Sequence, residues 1–376
     1  MTKAGIYIHV PFCTHKCIYC DFYSMEKREK DIPRFVDMLI REIELTALNY
    51  NEDWIFDTIF FGGGTPSLME PWELEKILHI LDRSFDISKV TEITLEANPG
   101  EASLQKLSKF YKLGINRLSI GFQSLQQKLL TSLSRIHSTK DCISTYRNAQ
   151  EAGFKNINID MIFNIPGQSL EVYRDDLEQV VELEPNHISA YSLTVEKNTP
   201  FYKKIQDGEI TMPSDEVDLD MFEFSQKYLG SHNYCQYEIS NYARDGMECR
   251  HNFHYWNLDP YLGFGPAAHG YDGHIRWWNT SSLDAYMQML KHNEIPLSGT
   301  EILSRTDHYN EVVINGLRSK EGIQIRKINL HKIDPEKMHS TIIKWKEQLN
   351  ITEEAISLKS EAYKFADEIA SDMMQT

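Results

Sequence analysis

The first 205 residues alternate between short apolar segments typical of β-strands and longer amphipathic segments typical of helices. Segments rich in β-branched and aromatic residues predict six strands, at residues 5–10, 58–63, 92–97, 117–122, 156–162 and 187–193. Apolar residues at helical spacing predict five helices between them, at residues 33–48, 71–81, 104–113, 140–152 and 170–183. Strands that alternate with helices form a parallel sheet with right-handed crossovers, so this half of the chain is predicted to be α/β.

Six strand–helix units are too few to close an eight-stranded barrel. We therefore expect an open, partial (β/α)6 TIM-like barrel, with a doubly wound sheet as the alternative. Both folds place ligands at the carboxyl ends of the strands. Polar residues do collect there in the sequence: Glu96 ends the third predicted strand, Gln123 follows the fourth, and Asp160 and Tyr191 lie in the last two.

The alternation stops near residue 205, which predicts three units. Residues 1–205 form the barrel, residues 206–299 a smaller α+β region that covers it, and residues 300–376 a small helical, winged-helix-like domain. In the middle region Ser214 is a predicted N-cap of a helix that Gly230 ends, and residues 237–241 are a predicted strand. We expect residues 237–242 to cover the barrel mouth.

The net charge of −16 argues against a general nucleic-acid binder, which needs a basic face. The C-terminal unit also has slightly more acidic than basic residues, so DNA binding is not expected there. No apolar run approaches the roughly 18 residues of a membrane helix. Because a predicted strand begins at Gly5, we expect no signal peptide and a cytoplasmic location. Peripheral contact with a membrane stays an open alternative.

Three of the six cysteines crowd together as Cys13, Cys17 and Cys20, with the spacing Cys-x3-Cys-x2-Cys. Thiols this close in a reducing compartment indicate metal ligands rather than a disulfide framework. Three thiolates can bind three irons of a cubane and leave the fourth iron for an outside ligand. The amine and carboxylate of S-adenosylmethionine can chelate that iron. A zinc site or an electron-transfer cluster would each want a fourth protein ligand.

The segment from Tyr7 to Phe22, which contains these cysteines, resembles the radical S-adenosylmethionine (radical SAM) superfamily. In particular it resembles the branch of oxygen-independent coproporphyrinogen III oxidases and HemW heme chaperones, and the likeness runs from Gly5 to about Tyr271. It implies a [4Fe-4S] cluster on the three cysteines, bound S-adenosylmethionine and an electron donor for the cluster. Tyr7, Tyr19 and Phe22 belong to the implied cofactor-binding set, and Tyr19 is a candidate adenine contact.

Further motifs follow in the order of that family. The run Gly62, Gly63, Gly64 and Thr65 follows a predicted strand; amides exposed by glycine can hold a carboxylate, and in the family this run contacts the methionyl amine. A carboxylate at a buried strand end, as at Glu96, needs a partner such as an ammonium group or a ribose hydroxyl. The resemblance implies polar contacts with ribose and the methionyl carboxylate at the positions Gln123, Arg135 and Asp160.

Two positions bear on what the site acts on. The oxidases of this branch carry a further cysteine two residues after the third one, where this chain has Cys20-Asp21-Phe22, an ending similar to that of the HemW group. The segment 249–256 resembles the His-Asn-x-x-Tyr-Trp motif of that group, in which the histidine, here His251, is linked to heme. Imidazole is a common axial ligand of heme iron, and Cys249 is an alternative thiolate. A packed aromatic corner containing His251 is the structural alternative.

The sequence therefore predicts a heme chaperone that carries a [4Fe-4S] cluster and S-adenosylmethionine and transfers heme to an acceptor protein that the sequence does not name. The first alternative is an enzyme, an oxygen-independent coproporphyrinogen III oxidase that decarboxylates its substrate through an adenosyl radical. The second is another radical reaction on an unrelated substrate. Whether the chain is an enzyme stays open at this stage.

Overall fold

The computed structural model describes residues 2–48, 54–329 and 335–375. The strands are β1 (Thr2–Val10), β2 (Phe12–Cys13), β3 (Met25–Glu26), β4 (Trp54–Gly63), β5 (Glu92–Ala97), β6 (Arg117–Gln123), β7 (Asn156–Phe163), β8 (His187–Ser192), β9 (Cys235–Gln236), β10 (Asn241–Ala243), β11 (Tyr261–Phe264), β12 (His269–Tyr271), β13 (Ile275–Asn279), β14 (Leu297–Ile302), β15 (Ile323–Gln324), β16 (Leu349–Ile351) and β17 (Ala355–Leu358).

The helices are α1 (Ile32–Ala47), α2 (Pro71–Ser84), α3 (Leu104–Lys112), α4 (Gln127–Ser132), α5 (Thr139–Ala152), α6 (Leu170–Glu182), α7 (Pro200–Gln206), α8 (Asp215–Ser231), α9 (Arg250–Trp256), α10 (Leu283–Lys291), α11 (Arg305–Leu317), α12 (Ile325–Asn329), α13 (Pro335–Lys344) and α14 (Ala366–Met373). None of these described helices combines the length and the apolar character that crossing a bilayer requires.

The predicted partial barrel is confirmed. Strands β1, β4, β5, β6, β7 and β8 are neighbours in that order, and every pair among them is parallel. Ile6 and Phe61 are fully buried in the apolar core beneath the surrounding helices. The alternate residues Tyr7 and Phe60 pack together inside the barrel. The carboxyl ends of all six strands therefore lie at one edge, where ligands bind in such folds.

The sheet continues beyond the six predicted strands on both sides. β11 pairs in parallel with β1, and β12, β13 and β14 extend that side as antiparallel strands. Gly263 and Gly265 permit this arrangement, because a Cβ atom would lie 1.8 Å from the carbonyl oxygen of His269 at Gly263 and 2.4 Å from that of His9 at Gly265. Close approach of a neighbouring backbone, which only glycine permits, is thus the reason for both residues.

Residues 237–241 do not form one continuous strand as predicted. β9 ends before this segment, and β10 begins at its last residue, Asn241. Glu238 pairs with Ser319 in an isolated bridge, and the N–H of Ile239 donates to the carbonyl of Arg318. β10 runs antiparallel to β8 at the side of the barrel, and coverage of the barrel mouth by residues 237–242 stays a prediction. The predicted end of the preceding helix at Gly230 is also wrong, because α8 continues to Ser231.

The C-terminal residues have an apolar core of their own, built from side chains between Tyr309 and Met373. The element order α11-β15-α12-α13-β16-β17 and the sheet order β15-β17-β16 agree with the winged-helix-like arrangement expected from the sequence. The domain boundaries at residues 205 and 299 stay predictions, and β14 spans the second of them.

A buried carboxyl group joins the barrel to its sheet extension. Glu42 of α1 is 2% exposed, and it accepts hydrogen bonds from the Gly265 N–H (2.8 Å), the Tyr286 hydroxyl (2.6 Å) and the Asn279 amide. Burial raises the pKa of Glu42 to about 7 even though these donors oppose the shift. The native state therefore holds this proton up to about pH 7, whereas the unfolded chain releases it near pH 4.5.

Replacing Glu42 by Gln should remove a pH dependence of stability. The wild-type contribution is fully present below pH 4.5 and is lost as the pH rises through 7, by about 3 kcal/mol. We expect the difference in unfolding free energy between the wild type and Glu42→Gln to fall by this amount, measured by urea denaturation at several pH values. The exposed Glu75→Gln in α2 is the control. An equal profile for all three proteins would contradict the assignment.

Candidate functional site at the carboxyl ends of the strands

The three clustered cysteines lie in the loop that follows β1. Cys13 ends β2, and Cys13 and Cys17 are each 9% exposed. The loop is fixed from both sides, since the Ile18 N–H donates to the Ser134 hydroxyl (3.0 Å) and the Phe201 N–H donates to the Ile18 carbonyl (3.0 Å). The loop is therefore held against the segment that follows α4 and against the start of α7.

A continuous hydrogen-bonded arc connects two of the cysteine sulfurs. The Thr65 hydroxyl lies 3.5 Å from Cys13 Sγ and accepts from Asn98 Nδ2 (2.8 Å). Asn98 Oδ1 accepts from Arg135 Nη2 (2.6 Å), and Arg135 Nη1 lies 3.4 Å from Cys17 Sγ. Donors aimed at sulfur stabilise negative charge on it, which is what a thiolate ligand of iron carries.

The donor set fits a three-cysteine cluster. Burial raises the pKa of the Cys13 and Cys20 thiols, and the nearby Cys17 thiol raises both further. Iron would offset that cost, because a bound cation deprotonates a coordinating thiol. In residues 2–48, 54–329 and 335–375, no three His, Cys, Asp or Glu side chains are close enough to share one metal ion. A cubane spreads its thiolates over three irons, so this finding does not conflict with a cluster.

The glycine run packs against the cysteine loop. A Cβ on Gly64 would lie 2.6 Å from the Phe12 carbonyl oxygen, and Gly63 has φ +104° with the His9 ring against it. The N–H groups of Gly63, Gly64 and Thr65 already donate to Glu96, to the Val10 carbonyl and to the Phe12 carbonyl. The Gly63 amide thus holds the carboxyl group of Glu96, whereas the amides of Gly64 and Thr65 are engaged by backbone carbonyls. Contact of this run with the methionyl amine stays a prediction.

Glu96 and Asp160 face the interior of the barrel. The Gly63 N–H (3.1 Å) donates to Glu96, whereas Ser119 and Asn158 donate to Asp160 (3.0 and 2.7 Å). Burial raises the pKa of Glu96 to about 8, with the nearby Asp160 carboxylate as the second cause, and burial also raises the pKa of Asp160. A cationic or hydroxyl-bearing ligand placed between them would lower the cost of ionising both groups.

The other predicted contacts lie on β1, on β6 and in the cysteine loop. Gln123 ends β6 with φ +67°, a conformation that costs energy for a non-glycine residue and is found at functional sites. Tyr19 lies beside Arg135, and burial raises the pKa of its hydroxyl. Phe22 is 70% exposed. Tyr7 donates to or accepts from His9 Nδ1 at 3.1 Å, on the barrel side of β1. The cofactor roles of these residues stay predictions.

His251 lies at the other end of the barrel. It is 1% exposed, with Nδ1 2.9 Å from the Thr58 hydroxyl and Nε2 3.0 Å from the Tyr255 hydroxyl. Its ring stacks on Phe60, and only glycine fits opposite it at position 5, where a Cβ would lie 2.9 Å from the ring. The described conformation therefore has the packed aromatic corner, in which both ring nitrogens are engaged.

Both ends of α9, which carries His251, are anchored. The buried carboxylate of Glu92 accepts from the N–H groups of Arg250 (3.0 Å) and His251 (3.1 Å) at the start of the helix. At its end, Asn315 and Lys327 of the C-terminal unit donate to the carbonyls of Tyr255 (3.4 Å) and Asn257 (2.6 Å). Moving His251 outward therefore requires contacts with both the barrel and the C-terminal unit to break.

Comparisons with known proteins agree with this geometry. The model of the radical SAM superfamily matches residues 7–180. The heme chaperone HemW of Bacillus subtilis is 35% identical over 318 residues, 84% of this chain and 84% of that protein, and HemW of Lactococcus lactis is 33% identical over 89% and 86%. The chain belongs to the HemW family. This chain is also similar in fold to coproporphyrinogen III oxidase (HemN) of Escherichia coli. The TM-score is 0.85 at 20% identity, and the match covers 100% of this chain and 90% of the oxidase.

Sequence reasoning missed some residues of this HemW-family site. Asn98 was missed; it connects Thr65 to Arg135, and its side chain carries no local signal of that role. His9 was also missed; it packs on Gly63, and burial lowers its pKa to about 4, so the ring is neutral. The position of His9 two residues after Tyr7, on the same face of β1, is the signal that could have identified it.

Removing Asn98 should weaken the cluster environment. Asn98→Ala breaks the arc and leaves Thr65 and Arg135 each without one partner, at a cost of about 1–3 kcal/mol. We expect fewer irons and sulfides per chain after anaerobic reconstitution, and faster loss of the cluster to a chelator. Asn116→Ala is the matched control, because that amide also makes two hydrogen bonds but at the amino ends of the strands. Equal cluster content in both variants would contradict the claim that this hydrogen-bonded arc stabilises the cluster.

Proposed function

We propose that this chain is a heme chaperone that carries a [4Fe-4S] cluster and S-adenosylmethionine. The observation that carries the proposal is the 35% identity to a heme chaperone HemW over 84% of both chains. It is supported by the ending Cys20-Asp21-Phe22, which lacks the further cysteine of the oxidases. The TM-score of 0.85 to a coproporphyrinogen III oxidase, at 20% identity, supports the fold alone.

At the carboxyl end of the barrel, Cys13, Cys17 and Cys20 would hold the cluster. A bound cluster with S-adenosylmethionine can supply one electron and release an adenosyl radical. The chain's own residues prepare the site: Thr65 and Arg135 donate toward sulfur, and Glu96 presents a carboxyl group to a ligand amine or hydroxyl. An electron donor to the cluster is part of the proposal.

At the amino end of the barrel, we propose that His251 ligates heme once helix α9 has moved. Both ring nitrogens are hydrogen-bonded, so ligation needs α9 to move and two hydrogen bonds to break, at a cost of about 1–3 kcal/mol. Burial and neighbouring positive charge lower the pKa of His251, which keeps the imidazole neutral and able to coordinate iron. Burial raises the pKa of Cys249 to about 12, so its thiol is protonated at neutral pH and is the weaker ligand.

The proposal includes an acceptor protein that receives heme and a location in the cytoplasm. None of the six cysteines, which all lie in the described residues, forms a disulfide, and this suits a reducing compartment. Decarboxylation of coproporphyrinogen III and another radical reaction remain as outcomes of the tests below.

Hemin titration tests the heme proposal. We expect a Soret shift with wild-type protein, and His251→Ala should weaken hemin binding by about tenfold or more, which corresponds to about 1.4 kcal/mol. His274→Ala, at an exposed position, is the matched control and should behave as wild type. Thermal unfolding of each variant checks the fold. A wild type that gives no shift would overturn the proposal, and unchanged binding by His251→Ala would remove that residue from it.

Anaerobic turnover distinguishes the chaperone from an oxidase. The reconstituted protein is incubated with S-adenosylmethionine, a reductant and coproporphyrinogen III, and 5′-deoxyadenosine and porphyrin products are measured. We expect no decarboxylated product, because the cysteine after Cys20 is absent. Stoichiometric protoporphyrinogen formation would instead assign oxidase activity.

A further inference from the structure

A second cleft opens at the amino ends of β5, β6 and β7, away from the cysteine loop. Its volume is about 480 Å3, within the range of pockets that hold small molecules. Its walls include Met247, Arg250 and Glu248 on one side and Tyr111 and Lys155 on the other. Arg250 is the first residue of α9, so the cleft lies directly before His251 in the chain.

The carboxylates of the cleft wall are already engaged. Glu92 is 4% exposed and accepts from the N–H groups of Arg250 and His251. Glu248 forms an ion pair with Lys320 at 2.9 Å. The Glu248 charge is therefore paired with a cation, and the Glu92 carboxyl group is hydrogen-bonded to the backbone at the start of α9.

The cleft wall has two cationic side chains, Arg250 and Lys155, that are available to pair with a ligand. Arg250 Nη1 donates to the neutral hydroxyl of Thr91 (2.9 Å), and within the described ranges no carboxylate forms an ion pair with Arg250 or with the exposed Lys155. Two uncompensated cations on one cleft contrast with the net charge of −16 for the whole chain. The cleft is thus suited to a ligand with carboxylate groups.

The rest of the wall offers apolar contact. Tyr111 is 40% exposed and is held in place by edge-to-face packing on Phe154, with ring centroids 5.3 Å apart. Met247 is partly exposed, and its flexible thioether side chain adapts to aromatic surfaces. An amphiphilic, planar molecule with two carboxylates on one edge would match both the apolar contacts and the two cations.

We propose that this cleft is a binding site for heme, with Lys155 and Arg250 as partners of its carboxylates and Tyr111 and Met247 as apolar contacts of its ring. The inference rests on the proposed heme chaperone function and extends it. Heme in the cleft lies next to the first turn of α9, and it can therefore reach His251 when that helix moves. The cleft gives heme a first position that the buried His251 does not offer.

The test measures binding of hemin and of hemin dimethyl ester, which lacks the two carboxylate charges, to the full-length protein. We expect Lys155→Glu to weaken hemin binding by about fivefold or more and Arg250→Gln to act in the same direction. The ester should bind the wild type more weakly than hemin does, and Lys155→Glu should change its affinity little. Lys140→Glu reverses an exposed charge on α5 outside the cleft and is the matched control.

The outcomes separate this inference from the proposed function. Suppose that the wild type binds hemin and that Lys155→Glu and Arg250→Gln bind it as tightly as Lys140→Glu does. The proposal that heme binds in the cleft is then overturned, and the chaperone proposal stands. Equal affinity of the wild type for hemin and its ester also overturns the proposal that heme binds in the cleft. If the wild type binds no hemin, both proposals fail. Thermal unfolding of Arg250→Gln, whose residue begins α9, separates lost binding from lost folding.

Discussion

Six parallel strands end at a common edge, and the site depends on this constraint. Because the strands are parallel, the residues that end or follow them meet there although they are far apart in the chain: Cys17, Thr65, Asn98 and Arg135 come from four different strand–helix connections. Hydrogen bonds then fix their side chains relative to one another. A cluster site in this fold is thus a property of the sheet rather than of the cysteine loop alone.

The two ends of the barrel have opposite character. At the carboxyl end, Glu96 and Asp160 are buried carboxyl groups with raised pKa values, and burial also raises the pKa of the Cys13 thiol. At the amino end, His251 and the Glu92 carboxylate are satisfied by neighbouring groups in the chain. The carboxyl end is therefore ready for its cofactors, whereas heme ligation by His251 demands a conformational change.

Much of the fold could be predicted from local sequence, because apolar periodicity is a local property. β5 was predicted with its observed bounds, and α5 and α6 within one residue at each end. β11 was missed because it is four residues long, contains Gly263 and forms by pairing with β1, far away in the chain. Prediction of the site is limited for the same reason. The burial of His251 depends on Thr58 and Gly5, and no local pattern around residue 251 reveals those contacts.

The hydrogen bonds from Asn315 and Lys327 to the end of α9 have a thermodynamic consequence. The free energy of exposing His251 includes these two contacts, which belong to a unit with its own apolar core. Any protein that binds this unit more tightly when α9 is released must, by reciprocity, raise the affinity of His251 for iron without touching the porphyrin. An acceptor docked there would in the same way be bound more tightly by the loaded carrier than by the empty one.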